Sequence, residues 1–291
     1  MPWTGKDTRV PGVQGRQLAQ GKSHPRKRLY RSRAHSNPLN DSHFPVPAHP
    51  QDFDWATYYP AFFGGASASH DEAAPSTSAG AATASTSAAA PADAAAPPAG
   101  SAEQPLVRFA DVGCGFGGLL IRLSPLYPDT LMVGMELRDR VTEYVKERIA
   151  ALRREEPGKY DNVSCIRTNA QKYLPNYFAK GQLQKLFFLF PDPHFKKANH
   201  RRRIINTTLL DEYAYILAVG GIIYTITDVQ ELGDWMRDKL ESHPLFERIS
   251  DDELAADPAA NLLETATEEG QKVARNGGKT WRSVYRRIAS T

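Results

Sequence analysis

From Leu106 onward, apolar runs of strand length alternate with stretches of helical period, and this alternation constrains the fold more than any other feature of the chain. Strands are predicted at 106–112, 131–136, 163–167, 186–190 and 222–227. Helices are predicted after the first strand to about Leu126, at 139–154, irregularly at 172–178, at 204–217 ending before Gly220-Gly221, and at 230–241. The 139–154 helix lines up Val141, Tyr144, Val145, Arg148, Ile149 and Leu152 on one face. Strand–helix alternation predicts an α/β fold, a mostly parallel sheet with helices on both faces. Segments 246–249 and 281–288 can close it as an antiparallel pair.

The region before Leu106 is of a different kind. Residues 1–28 are polar and basic, with few large apolar groups, and are expected to be a disordered tail. Within it, His24-Pro25-Arg26-Lys27-Arg28 suits a nuclear import signal, an RNA-contacting arm or, more weakly, a transit peptide. Residues 29–65 carry Phe44, Phe53, Trp55, Tyr58, Tyr59, Phe62 and Phe63, and read as an ordered arm packed on the catalytic domain at 106–291. Ahead of these aromatics, Arg31, Arg33 and His35 alternate so that an extended segment would aim them to one side. Residues 66–105 contain 17 alanines among Ser, Thr, Pro and Gly, and no aromatic, Leu, Ile, Val or Met, so they cannot build a core.

Net charge is only +3, so bulk charge predicts no polyanion partner; its distribution does. Six basic residues and no acid lie between Lys22 and Arg33, and five more between Lys196 and Arg203. The two cysteines, Cys114 and Cys165, form no zinc spacing and no disulfide framework, which suits a reducing compartment. No stretch approaches a membrane span, and the expectation is a soluble intracellular protein with no metal site.

Two stretches carry chemistry. In the first, Asp111-Val112-Gly113-Cys114-Gly115-Phe116-Gly117-Gly118 links a strand to a helix, and an acid, Glu136, ends the next strand 23 residues after Gly113. Glycines let a backbone approach a ligand, the helix start offers free N–H groups, and a carboxylate at that spacing can grip ribose hydroxyls. An adenosine-type cofactor follows. Gly113, Gly115 and Gly118 formally meet the dinucleotide pattern, so a nicotinamide or flavin cofactor stays in view. In the second, residues 185–203, KLFFLFPDPHFKKANHRRR, an apolar strand ends at Pro191-Asp192-Pro193. The prolines remove backbone donors and restrict Asp192, and Lys196, Lys197, Arg201, Arg202 and Arg203 follow, with His194 and His200 among them. A carboxylate held at a strand end beside clustered cations suits an enzyme acting on nucleic acid. The plainer reading is a strand, a turn and a solvated charge run.

The order DVGCGFGG, GMELR, TNA, FLFPDPHFKKANHRRR, ITD and TEEG resembles the tRNA guanine-N7 methyltransferase family, and RSRAHSNP resembles the arm of its eukaryotic catalytic subunit. The resemblance implies a Rossmann-like class I S-adenosylmethionine-dependent methyltransferase acting on a variable-loop guanine of tRNA, in the nucleus, beside a WD-repeat β-propeller subunit. It implies that Gly113, Gly115, Glu136, Arg138, Asn169, Ala170 and Leu189 hold the cofactor and that Asp192 is catalytic. Thr267 and Glu269 fall near Asp192, although Thr265 and Glu268 also have the spacing of a helix-capping box. Arg31, Arg33, His35, Asn37, His194 and the basic run to Arg203 would meet tRNA. Asn169 would offer its amide to the adenine edge. Two other functions fit less of the sequence. A nicotinamide oxidoreductase would use the same glycine turn but leaves PDPH unexplained. A non-catalytic RNA-binding module would have no use for Gly113, Glu136 and Asp192 together.

Overall fold

The computed structural model describes residues 24–30, 32, 37–39, 44–64 and 104–290. Arg31, Arg33, His35, nearly all of the 66–105 tract and most of the 1–28 tail lie outside the described residues. Among those described, seven strands form one sheet: β1 (Val107–Val112), β2 (Leu131–Glu136), β3 (Val163–Arg167), β4 (Leu183–Leu189), β5 (Leu217–Thr227), β6 (Phe246–Arg248) and β7 (Trp281–Arg287). Their order is β3-β2-β1-β4-β5-β7-β6. The first five are parallel, and β7 runs antiparallel to both β5 and β6. The helices are α1 (Gly118–Leu123), α2 (Asp139–Glu155), α3 (Ala170–Tyr177), α4 (Thr207–Ile216), α5 (Gln230–Glu241), α6 (Asp251–Ala256) and α7 (Glu268–Arg275).

β2 is buried at every position, as a central parallel strand covered on both faces must be. Each Val, Leu, Ile or Phe side chain fully buried there contributes about 1.5–3 kcal/mol. The strand order reverses between β1 and β4, opening a crevice beyond their carboxyl ends, and crevices of this kind take ligands in open α/β sheets.

The aromatic arm completes one layer of the core. Trp55 stacks on Phe178 at 6.0 Å, Phe53 meets Tyr177 edge-on at 5.0 Å, and the fully buried Tyr59 donates its hydroxyl to the Met132 carbonyl at 2.8 Å. Asn176 reaches back from α3 to the Pro47 carbonyl at 2.9 Å. The described part of the arm thus packs over β2 and α3.

Several boundaries differ from the sequence expectation, most because of a distant partner or a local cap. β4 begins at Leu183, not 186, because Lys185 enters the sheet as a satisfied cation, 3.0 Å from Asp257 and bonded to Tyr224. α4 begins at Thr207, because Asn206 caps it by accepting from the Leu209 amide at 3.0 Å. That helix ends at Ile216, and β5 starts at once and takes the glycine pair inside itself. Gly220 sits at φ +85°, and a Cβ on Gly221 would lie 2.9 Å from the Ala218 carbonyl oxygen, so the glycines permit a bulge rather than end a helix. α7 is capped by Thr267, whose hydroxyl accepts from the Gly270 amide at 3.0 Å, and not by Thr265. α3 starts at Ala170, two residues before the expected 172.

Candidate active site

A cleft of about 630 Å³ lies beyond the carboxyl ends of β1, β2 and β4. Its walls include Gly113, Gly115, Glu136, Arg138, Asn169, Ala170, Leu189, Asp192, His194, Arg202, Thr267 and Glu269. Residues far apart in the chain therefore meet at one place.

The glycine loop forms one wall. Gly113, Gly115 and Gly117 all have positive φ, at 72°, 54° and 73°, a conformation L side chains rarely adopt. A Cβ at Gly113 or Gly115 would meet nothing within 4 Å, so these two positions leave open room on the cleft side. Cys114, between them, turns inward, and its Sγ lies 3.8 Å from that of Cys165, both free thiols. Gly134 makes this fit possible, since a Cβ there would stand 2.7 Å from the Cys114 sulfur. At Gly118 a Cβ would fall 2.2 Å from the Ala266 carbonyl oxygen, so α1 starts hard against the segment leading to α7.

Glu136 is 4% exposed and fully engaged. It accepts from the Gly115 amide at 3.2 Å and from the Arg138 amide at 2.9 Å. The Arg138 guanidinium clasps it at 3.0 Å through Nε and 2.9 Å through Nη2. That hydrogen bonding raises the Arg138 pKa above its usual value. The strand-end acid and the glycine loop are thus one hydrogen-bonded unit.

Asp111 lies beneath the loop, 2% exposed, and its Oδ2 is buried with no hydrogen-bond partner. Burial, reinforced by the carboxylates of Glu136 and Glu268, pushes its pKa up to about 7. Apart from Asp192, four acids among the described residues line the cleft, Glu136, Asp228, Glu268 and Glu269, against three cations, Arg138, Arg202 and Lys272. Such a wall suits a ligand carrying positive charge. S-adenosylmethionine brings an ammonium and a sulfonium against one carboxylate, a net positive charge, whereas a dinucleotide would bring a negatively charged pyrophosphate against the same acids. The room above Gly113 and Gly115 and the orphaned Asp111 oxygen fit the former, and the oxidoreductase reading loses its support.

Opposite the loop, the Pro191-Asp192-Pro193 turn is bracketed by two non-glycine residues with positive φ, Phe190 at 50° and His194 at 45°. Backbone of this kind costs about 1–3 kcal/mol per residue and persists where the surroundings hold it. Here the Phe190 amide donates to the Ile226 carbonyl at 2.8 Å, and the His194 amide donates to Asp192 Oδ1 at 3.3 Å. The Asp192 side chain is 31% exposed, within reach of a ligand in the cleft.

The basic run divides. Lys196, Lys197 and Arg201 are exposed outside the cleft, and Arg202 lines it. Arg203 does not belong with them: it is 1% exposed, donates from Nε to the Pro193 carbonyl at 2.9 Å and from Nη2 to Glu231 at 2.8 Å, and lies over the Trp235 ring. It braces the turn from behind and is closed to a phosphate. Asn169 also differs from expectation. Its Nδ2 donates to the Pro38 carbonyl at 2.6 Å, fastening the arm to the rim rather than presenting the amide to an adenine. Asn37 is exposed and accepts from the Leu39 amide at 3.2 Å, a local turn. Thr267 caps α7, and Glu269 pairs with Lys272 at 2.9 Å.

Sequence reasoning passed over Glu268, treating it as half of a capping box. It lines the cleft and pairs with Lys27 and Arg148. Only the acidic pair in TEEG hinted at it, because both of its partners are remote in sequence.

The family described as "Putative methyltransferase" matches residues 105–283. A tRNA (guanine-N(7)-)-methyltransferase of Oryza sativa subsp. indica is 60% identical over 275 residues, 94% of this chain and 95% of that protein. The Arabidopsis thaliana protein of the same name is 58% identical over 91% of this chain and 92% of its own. The one from Homo sapiens is 51% identical over 91% and 88%. Identity at this level over nine-tenths of the chain takes in the cleft, and this chain belongs to the tRNA (guanine-N(7)-)-methyltransferase family.

Proposed function

We propose that the chain methylates N7 of a variable-loop guanine in tRNA, with a WD-repeat β-propeller subunit as its partner in the nucleus. S-adenosylmethionine-dependent guanine-N7 methylation of tRNA follows from the family; the guanine's place in the tRNA, the propeller and the compartment are the proposal. The observation that carries the chemistry is the position of Asp192, between the acidic cofactor wall and the exposed Lys196 and Lys197.

Bound S-adenosylmethionine supplies an electrophilic methyl on a positively charged sulfur. Guanine N7 has an in-plane lone pair and no proton to lose, so no residue need act as a general base, and catalysis rests on alignment and electrostatics. The Asp192 side chain offers acceptor oxygens suited to hold the N–H edge of guanine and to favour the positive charge that N7 methylation leaves on the purine. The bracket of strained backbone and the Arg203 brace hold that carboxylate still. Lys196, Lys197 and Arg201 take phosphates, which position the RNA without reading its sequence. Reverse-transcription mapping of N7-methylguanine in tRNA, incubated with the chain alone and with a WD-repeat subunit, tests the whole reading. Methylation at another loop sinks the site assignment, and equal activity without the subunit sinks the partner.

A further inference from the structure

Residues 24–30 lie along α2 and reach the glycine loop and the start of α7. His24 meets Glu155 at 2.8 Å at one end, and the Tyr30 ring packs edge-on against Tyr144 at 5.5 Å. Between them, Lys27 makes two contacts that matter more. Its Nζ lies 2.5 Å from Glu268 Oε1, at the start of α7, and 5.1 Å from the ring centroid of Phe116, in the glycine loop.

These two targets belong to different elements of the cofactor cleft, and both line it. They are also linked from behind. Arg148 donates to the Phe116 carbonyl at 2.8 Å and approaches Glu268 at 3.6 Å, and the Phe116 ring stands edge-on to Tyr144 at 5.1 Å. The cluster joins the basic segment (Lys27, Tyr30), whose residues 24–28 are ordered here and not part of a disordered tail as expected, to the loop (Phe116), α2 (Tyr144, Arg148) and α7 (Glu268). Lys27 is the cation that closes it on the solvent side, with 43% of its side chain exposed.

We propose that Lys27 is a positioning residue for the cofactor site, and that the basic segment 24–30 is a strap pinning the Phe116 loop to Glu268. It rests on the reading of the cleft as the S-adenosylmethionine site. The loop and α7 share no strand or helix; the close approach of Gly118 to the Ala266 carbonyl fixes one side of their junction, and the side-chain contacts of Phe116, Arg148, Glu268 and Lys27 hold the other. A cation between an aromatic face and a carboxylate is attracted to both, and the Phe116 backbone carries the bond to Arg148. Coupling of this kind is reciprocal. If the strap favours the cofactor-binding geometry of the loop, cofactor binding must favour the docked strap to the same degree.

The competing account is that Lys27, in a basic segment, is one more phosphate contact for tRNA. Measurements without tRNA separate the two. Lys27→Ala should weaken S-adenosylmethionine binding by about 3- to 10-fold in calorimetry, the scale of one partly exposed ion pair and one cation–π contact acting together. Amide exchange across 113–118 should quicken in the cofactor-free protein, and Lys27→Arg, which keeps the cation, should restore both. In the wild type, adding S-adenosylmethionine should slow amide exchange across 24–30. Unchanged cofactor affinity and loop exchange in Lys27→Ala, with a tRNA salt slope reduced by about 0.7 to 0.9, would assign the residue to phosphate and overturn the strap. A wild type that binds no S-adenosylmethionine would overturn the reading of the cleft instead, and exchange at 113–118 alone would then decide the strap.

Discussion

Arg203 donates from Nε to the carbonyl of Pro193 at 2.9 Å, so the last cation of the basic run is tied back onto the turn that carries Asp192. A chain of five cations is thereby split between two tasks. Three stand exposed outside the cleft, Arg202 lines it, and Arg203 holds the Asp192 turn from inside, its guanidinium over Trp235 at 4.8 Å.

Replacing Arg203 should therefore act on the turn and not on RNA affinity. Arg203→Ala leaves the Pro193 carbonyl without its donor and removes the packing on Trp235. A stability loss of about 1–3 kcal/mol is expected, the cost of one unsatisfied buried group. Methyl-transfer rate should fall while the tRNA dissociation constant and its salt slope stay near wild type. A lowered salt slope, measured by filter binding across a salt series, would return Arg203 to the phosphate set.

Asp192 and the lysines four and five residues later should separate in the opposite sense. Asp192→Ala should abolish single-turnover methylation with little change in tRNA affinity, because the carboxylate acts on one base. Lys196→Glu with Lys197→Glu should weaken tRNA binding and lower the log–log salt slope by about 0.7 to 0.9 for each phosphate that is no longer neutralised. S-adenosylmethionine affinity should survive in both, since the loop and Glu136 are untouched. Near wild-type methylation by Asp192→Ala would remove the residue from the reaction.

The parts of this site that could be read from sequence are those whose physics is local. Three positive-φ glycines after a strand, an acid closing the next strand and a proline-bracketed aspartate each announce a backbone geometry within a few residues. What stayed hidden depends on partners far along the chain. Arg203 looks like its neighbours until Glu231 and Trp235 fold against it. Lys185 reads as the end of a loop until Asp257 brings it a counter-charge inside the sheet. Gly220-Gly221 reads as a helix stop, and only the register of β5 against β4 shows it to be a bulge. Glu268 meets a counter-charge in Lys27, which lies 241 residues away.

The buried Asp111 should give cofactor binding a pH dependence. Its carboxyl, held up at about 7, is protonated below that value and charged above it. A positively charged cofactor favours the charged form and draws its pKa down, so binding releases a proton wherever the free site is still protonated. Affinity for S-adenosylmethionine should rise with pH through the range from about 5 to 7, by no more than tenfold per unit, and level off above. The apoprotein should show the opposite trend from this group. A folded pKa above the unfolded one means stability is lost as pH rises toward 7. Asp111→Asn should flatten the affinity profile and raise the melting temperature of the apoprotein at pH 8 relative to wild type. Calorimetry in buffers of different ionisation enthalpy counts the proton directly, and zero proton release near pH 6 would refute the assignment.

Among the described residues Phe195 is the most exposed large apolar side chain, 67% exposed between His194 and Lys196. The positive φ of His194 turns the chain out of the cleft at that point, and two exposed lysines follow. An aromatic ring beside exposed cations is an arrangement on which an unstacked base can lie, and such stacking contributes about 1–3 kcal/mol per base. Phe195→Ala should weaken tRNA binding by about 5- to 150-fold on that scale, with no change in melting temperature, because the ring packs on little of its own protein. Its salt slope should equal that of wild type, because no charge is removed. Phe195→Trp should keep affinity, since every base stacks on an indole as on a phenyl ring. The deciding variant is Phe195→Leu, which keeps the apolar bulk without the aromatic face. If it binds tRNA as wild type does, the ring makes an ordinary apolar contact and the stacking assignment is wrong.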